Sequence, residues 1–198
     1  MSTLALGHAR VAGRGEAVEA KRGRFDAPAL TAIRYADPAA WMTATAVANA
    51  IDVRRAAVAA AHDRVGVVVT SAEGPVEAMA AMNEASRGGS SSPIRFPASN
   101  AGSLAGLTSI AFGFRGPTLM LTLPADRGVP VGLLLADAWL GRDVVSFVVV
   151  VATGRREGEG PQPPVSRCLL LGNRATEGVE PFDLERDAAW LVHVGSAE

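Results

Sequence analysis

Apolar positions along this chain fall into short valine-rich runs separated by longer stretches with helical spacing. Arg64 to Thr70, RVGVVVT, is bounded by turn formers and predicts a strand buried on both faces, as in a parallel sheet. Val144 to Val151, broken only by Ser146, predicts a second through Ala152, and TLMLT after Gly116–Pro117 a third. Residues 3–12, with Leu4, Leu6 and Val11, predict a short first strand, followed by a surface loop from Arg14 to Arg24. The alternating AAWLVHV near the end predicts the last strand, after an apolar segment RCLLLG.

Helical signals lie between these runs. Asp37 followed by Pro38 is a helix start, and Trp41, Ala44, Ala48, Ile51 and Val58 carry the spacing to about His62, with an interruption near Asp52. Gly74–Pro75 opens another helix, whose apolar side is Val76, Met79, Ala80 and Met82 and which ends at Gly88–Gly89. Ser99 and Asn100 cap a third through Phe112. Helices alternating with strands predict an α/β fold: a mainly parallel five-stranded sheet with helices on both faces. The chain reads as a single domain over 1–198, partly irregular over 1–30, with a loop at 154–164; RGGSSSP and GRREGEGPQPP punctuate it without dividing it.

The helix predicted from Val129 to Leu140 breaks the one-face rule. Val129, Val131, Leu133, Leu134, Leu135, Ala136, Ala138, Trp139 and Leu140 point nearly all round its axis, whereas a helix on one face of a sheet needs a single apolar stripe. Leaving three such side chains in water forgoes about 1.5–3 kcal/mol each. One sheet covers one side, so the other is expected to meet a second polypeptide, with Val131, Leu134, Leu135 and Trp139 as the interface. The alternative is self-coverage by RCLLL and the final strand.

Composition narrows the function. The net charge of −1 gives no electrostatic reason for nucleic-acid binding, and no apolar run reaches the roughly 20 residues of a membrane span. A single cysteine, Cys168, permits no internal disulfide and no thiolate metal cluster, which with the absence of a secretory leader leads us to expect a cytoplasmic location. His8, His62 and His193 are scattered and no metal-binding spacing exists, so neither metal nor cofactor is expected. Cys168, in an apolar run, reads as a buried structural thiol.

Three stretches carry a resemblance. RVGVVVTSAEGP, AGLTSIAFGFRGP and PFDLERD resemble the strand and glycine turn, the A-G-x-x-S-I-x-x-G-x-x-G-P block and the P-F-D-x-x-R-D segment of the N-terminal half of β-ketoacyl synthases, the condensing enzymes of fatty acid and polyketide assembly. The likeness spans roughly residues 38–195 and implies a thiolase-like half-fold. In that family the strand after G-P leads to T-A-C-S-S-S, where a cysteine starts the central helix and its thiolate is favoured by the helix N-terminus. Ungapped counting puts Leu123 at the threonine, Ala125 at the cysteine, and Asp126, Arg127 and Gly128 at the serines. The Asp126 carboxylate would cap the helix but oppose an oxyanion formed there.

Complete members continue into a second half of comparable size, which supplies their catalytic histidines, so the resemblance implies the fold and an assembly-line context rather than catalysis. The expected role is a catalytically silent ketosynthase-like subunit of a type II fatty acid or polyketide system. Its partner would be a second copy or a ketosynthase-like protein, with acyl carrier protein a further candidate through Arg14, Lys21, Arg22 and Arg24. Ala125, Asp126 and Arg127 would line a pocket or interface. The alternatives are an acyl-thioester-processing enzyme with a site between subunits, and a carrier-protein-binding scaffold.

Overall fold

The computed structural model describes residues 6–21, 23, 25, 35–89, 93, 95–155 and 162–194. Its centre is β2 (Val65–Thr70), every residue of which is buried. β2 lies between β3 (Thr118–Leu121) and β4 (Phe147–Arg155) and runs parallel to both, with Val67 opposite Thr118 on one side and Val149 on the other. β5 (Pro164–Gly172) pairs antiparallel with β4, β1 (Arg10–Ala17) with β5, and the two-residue β6 (Glu180–Pro181) with β1. The order is β3-β2-β4-β5-β1-β6.

The α/β class and the helices on both faces hold, but the sheet is mixed. The link from Arg155 to Pro164 is too short for the dozen or more residues of a parallel crossover, so β5 must return antiparallel. The segment RCLLLG is the end of that fully buried strand. The first strand is Arg10–Ala17 rather than 3–12, whose residues 3–5 lie outside the described ones, and it takes Arg14 out of the expected surface loop. Of the two linker-like stretches, residues 90–92 and 156–161 also lie outside.

One face of the sheet carries α1 (Pro38–Ala50), α2 (Arg55–Ala60) and α4 (Ser103–Phe112), whose Trp41, Val47, Val58, Leu104 and Leu107 pack on Val67, Val69, Val149 and Leu170. The Asp37 carboxylate accepts from Ala39 N and from Ala78 N, both at 2.8 Å, tying the start of α1 to that of α3 (Val76–Arg87). The predicted break after Ile51 is a 3₁₀ turn at Asp52–Arg54. α3 has no buried residue: Val76 and Met79 of its expected inward side are 39 % and 50 % exposed, and the element chiefly packed against it among the described residues is a short 3₁₀ turn at Phe96–Ser99. Asn100 caps Gly102 rather than a longer helix, which begins at Ser103.

α1 sits directly on β1 because Gly13 and Gly15 have no side chains. A Cβ on Gly15 would lie 2.2 Å from the carbonyl oxygen of Ala46 and 2.3 Å from the amide of Ala50, both backbone atoms. Side chains from α1 and the turn after it also cap the outer edge of β1, since Asn49 donates to the Glu16 carbonyl and Arg54 to that of Ala12.

The opposite face carries α5 (Ala125–Gly141) and residues 182–194. The latter are no strand: a wide π turn at Leu184–Ala188 leads into α6 (Ala189–Val192), and Leu191 is fully buried. Reciprocal bonds between Asp183 and the turn start the helix, Asp183 Oδ1 accepting from Arg186 N and Asp187 Oδ2 from Asp183 N, and this local capping overrides the alternating pattern. Asp187, fully buried, also pairs with Arg14 at 2.8 Å and Arg186 at 3.0 Å. Arg14 is therefore committed to the fold rather than offered to a carrier protein; Lys21 is exposed, and Arg22 and Arg24 lie outside the described residues. PFDLERD thus follows the last long strand instead of preceding it.

Gly15→Ala should cost about 1–3 kcal/mol in urea unfolding, since neither contacted backbone group can move aside. Burial alone would raise the Asp187 carboxyl, but Arg186, Arg14 and the Asp183 amide hold it below its ordinary value. The fold thus favours the ionised form. Its stabilisation is complete above the ordinary value of 3.8 and disappears as pH falls through the lower folded value. Asp187→Asn should accordingly be less stable than the native chain at pH 7, with the gap closing in acid below that value.

Candidate functional site

The carboxyl ends of the parallel strands β2, β3 and β4 open beside the start of α5, the position where ligands sit in open α/β sheets. Two glycines bring α5 close. A Cβ on Gly128 would fall 1.8 Å from Thr70 Oγ1, and one on Gly132 3.1 Å from Val68 and 3.3 Å from Val150. The helix therefore begins at Ala125, four residues before the hydrophobic run that marks it in the sequence.

A cavity of about 270 Å³ lies there, lined by Ser71, Ala72, Glu73, Pro124, Ala125, Asp126, Thr153, Gly154, Val192 and Val194. Ala125 and Asp126 thus share one cavity. Arg127 is not among its lining residues; it points outward and is exposed, as is Asp126. Among the described residues no ion pair joins the two. The expected capping by Asp126 is absent: Pro124 is the N-cap, and the first turn is closed by its carbonyl accepting from Arg127 N and Gly128 N. The leading N–H groups of the helix keep their positive partial charge.

Hydroxyls furnish the rest of the cavity. Thr43 Oγ1 donates to the Ala39 carbonyl, so in its 2.8 Å contact with Thr153 it accepts. Thr153 in turn accepts from Ser166, also at 2.8 Å. Thr153 thus spends its proton on Thr43 and toward the cavity can only accept. Ser71 Oγ accepts from Gly74 N at 3.1 Å and keeps its own proton to donate. Glu73 is held by Arg155 at 2.7 Å, which also binds Glu77 at 3.0 Å. Sequence reasoning missed Ser71, Glu73, Thr153 and Val194, because they converge only when the strand ends are brought level by the sheet register.

No nucleophile stands at the helix start. Cys168 lies inside β5, between Val151 and Gly15 in the register, and burial pushes its thiol far up. Among the described residues no cluster of histidine, cysteine or carboxylate side chains could hold a metal ion, and no helix is long and apolar enough to cross a membrane. His62 pairs with Asp63 on the surface and His193 with the Ala189 carbonyl.

The residues of α5 separate by face. Gly128, Val129, Gly132, Leu133, Ala136 and Leu140 are buried against the sheet, while Val131 and Leu134 are 40 % and 48 % exposed on the other side. Leu135 is half-buried beside them, and Trp139 is half-buried with its ring 3.1 Å from where a Gly66 Cβ would be. Among the described residues, self-coverage reaches the sheet beside α5 through Leu191 and Phe182 and the end of the helix through Gly7 and His8, while Val131 and Leu134 stay exposed.

A family model, Beta-ketoacyl synthase, N-terminal domain, matches residues 8–122, more than half of the chain, and the chain belongs to that family. Curated protein sequences gave no match. Solved structures are similar in fold. The ishigamide ketosynthase/chain length factor aligns with TM-score 0.67 at 15 % identity, over 88 % of this chain and 64 % of that one. A type II polyketide synthase ketosynthase in complex with its acyl-carrier protein aligns with TM-score 0.63 at 15 % identity, over 84 % and 62 %. The ketosynthase ApeO in complex with its chain length factor ApeC, from Xenorhabdus doucetiae, aligns with TM-score 0.56 at 16 % identity, over 83 % and 79 %. The chain spans less than two thirds of the length of the first two.

With Cys168 fully enclosed, native protein should resist a thiol reagent that titrates one equivalent once urea unfolds the chain. Native-state labelling within minutes would mean that β5 opens.

Proposed function

We propose that the protein is a catalytically silent ketosynthase-like subunit that completes or shapes a condensing complex of a type II fatty acid or polyketide system. The observation that carries this is the outer side of α5, where Val131 and Leu134 are exposed and Leu135 and Trp139 are half-buried. Half-exposed large apolar side chains so grouped mark an interface rather than a solvent face. The partner is a second copy or a ketosynthase-like protein. Family membership supports this reading, as does the pairing of ketosynthase with chain length factor in two of the similar structures.

The chemistry at the helix start supports the silent part of this reading. Ala125 has no lone pair to attack a thioester, and Asp126 would place negative charge beside the oxyanion of acyl transfer. Ala125, Asp126 and Arg127 serve in this reading as pocket and interface residues. Acyl carrier protein is a further partner, with one similar structure holding a carrier protein on its ketosynthase.

Leu134→Asp should weaken association with the partner at least about 100-fold, roughly 2.7 kcal/mol. It should leave the unfolding free energy of the isolated chain within about 0.5 kcal/mol, as expected of a surface position. Affinity and urea titrations check the two halves; unchanged affinity would remove the interface. Incubation with an acyl-carrier thioester should give neither turnover nor an adduct, and an acyl group found on any side chain would replace silence with catalysis.

A further inference from the structure

The cavity at Ala125 has two kinds of wall. Ser71–Glu73, Pro124–Asp126 and Thr153–Gly154 belong to the ends of the sheet and its central helix, but Val192 and Val194 come from the C-terminal segment. Val194 lies against the end of β4, its Cγ1 3.4 Å from where a Gly154 Cβ would be. Anything reaching Ala125 from that side meets these two valines.

The segment is held in a particular way. Between Phe182 and Val194 its regular structure is one π turn and one α turn, and hydrogen bonds within so short a helix do not stabilise it alone. Polar anchors fasten it together with apolar packing, in which Leu191 is the fully buried residue and Phe182, Trp190, Val192 and Val194 are partly buried. Asp187 is pinned to Arg14. Leu191 is buried against the sheet. Arg167 reaches up from β5 to the closing carbonyls, donating to Trp190 at 3.0 Å and His193 at 3.3 Å, with its guanidinium 5.5 Å from the Trp190 ring centre. Arg167 is itself nearly buried and fixed by Glu16 at 2.9 Å. The anchors at Asp187 and Leu191 lie upstream of the wall residues, so among the described residues Arg167 is the polar side chain that fastens the end carrying Val192 and Val194, beside their own packing on the core.

We propose that residues 188–194 form a lid over the cavity at the start of α5, hinged at the Asp187–Arg14 pair and latched by Arg167. Short helices with few buried contacts occupy the low-stability end of a fold, where local opening precedes global unfolding. Opening removes the two valines from the wall and clears the approach to position 125; closing reseats the Trp190 and His193 carbonyls on the guanidinium. The lid belongs to the chain itself and does not require the partner, so its failure and the failure of the subunit reading are separable.

The test places a reporter in the cavity. Ala125→Cys supplies a thiol there, Cys168 being enclosed, and its reaction with a polyethylene-glycol maleimide is timed alongside amide exchange. Arg167→Met, which keeps the aliphatic bulk and removes the latch, should speed labelling at least tenfold and raise exchange at residues 189–194 while β2 and β4 amides stay protected. Equal labelling rates with and without the latch would overturn the lid. Should Arg167→Met lose the β2 and β4 protection as well, the reading passes to the chain with its latch intact. There, labelling must track exchange of the 189–194 amides as urea rises below the unfolding transition, and a rate independent of those amides overturns the proposal.

Discussion

The close approach of α5 to the middle of the sheet governs the molecule. Gly128 and Gly132 bring the helix down on Thr70, Val68 and Val150, where any side chain would hold it off. That approach seals Val129, Leu133, Ala136 and Leu140 beneath the helix, and it fixes which residues turn outward. A sequence apolar all round its axis then leaves Val131 and Leu134 in water, and the free energy of covering them is available only to another surface.

The same contact decides the chemistry of the site. Packing α5 this tightly against β2 and β4 brings its first turn level with the strand ends, where Ser71, Glu73 and Thr153 already lie. A helix N-terminus at that place favours negative charge. Here the first turn offers a methyl group at Ala125, and a carboxylate at Asp126 uses up part of that favour. The fold supplies a helix N-terminus beside the cavity, with no nucleophilic side chain at Ala125.

Much of this was legible in the sequence because it rests on local pattern. The valine runs of β2 and β4, the cap at Asp37, the break near Asp52 and the two-sided apolar character of α5 are all short-range signals. What could not be read depends on pairs distant in the chain. β1 runs through Gly13 and Gly15 because of α1, not because of its own composition. AAWLVHV alternates like a strand, yet the reciprocal Asp183 and Asp187 bonds and the reach of Arg167 make it helical. The apolar side of α3 misleads in the opposite sense, since amphipathic spacing does not say whether anything lies opposite. At the site, the start of a helix near Ala125 was visible in the sequence, whereas the cavity walls required the register.

The claim on which the functional reading stands is that the outer face of α5 is covered by a second polypeptide. Sedimentation equilibrium of the purified chain, alone and co-expressed with a ketosynthase-like protein, measures this directly. An assembly in either sample, at a mass well above the 20.4 kDa of one chain, is the expected result. A 20.4 kDa species in both, holding its mass over the full concentration range, would contradict it.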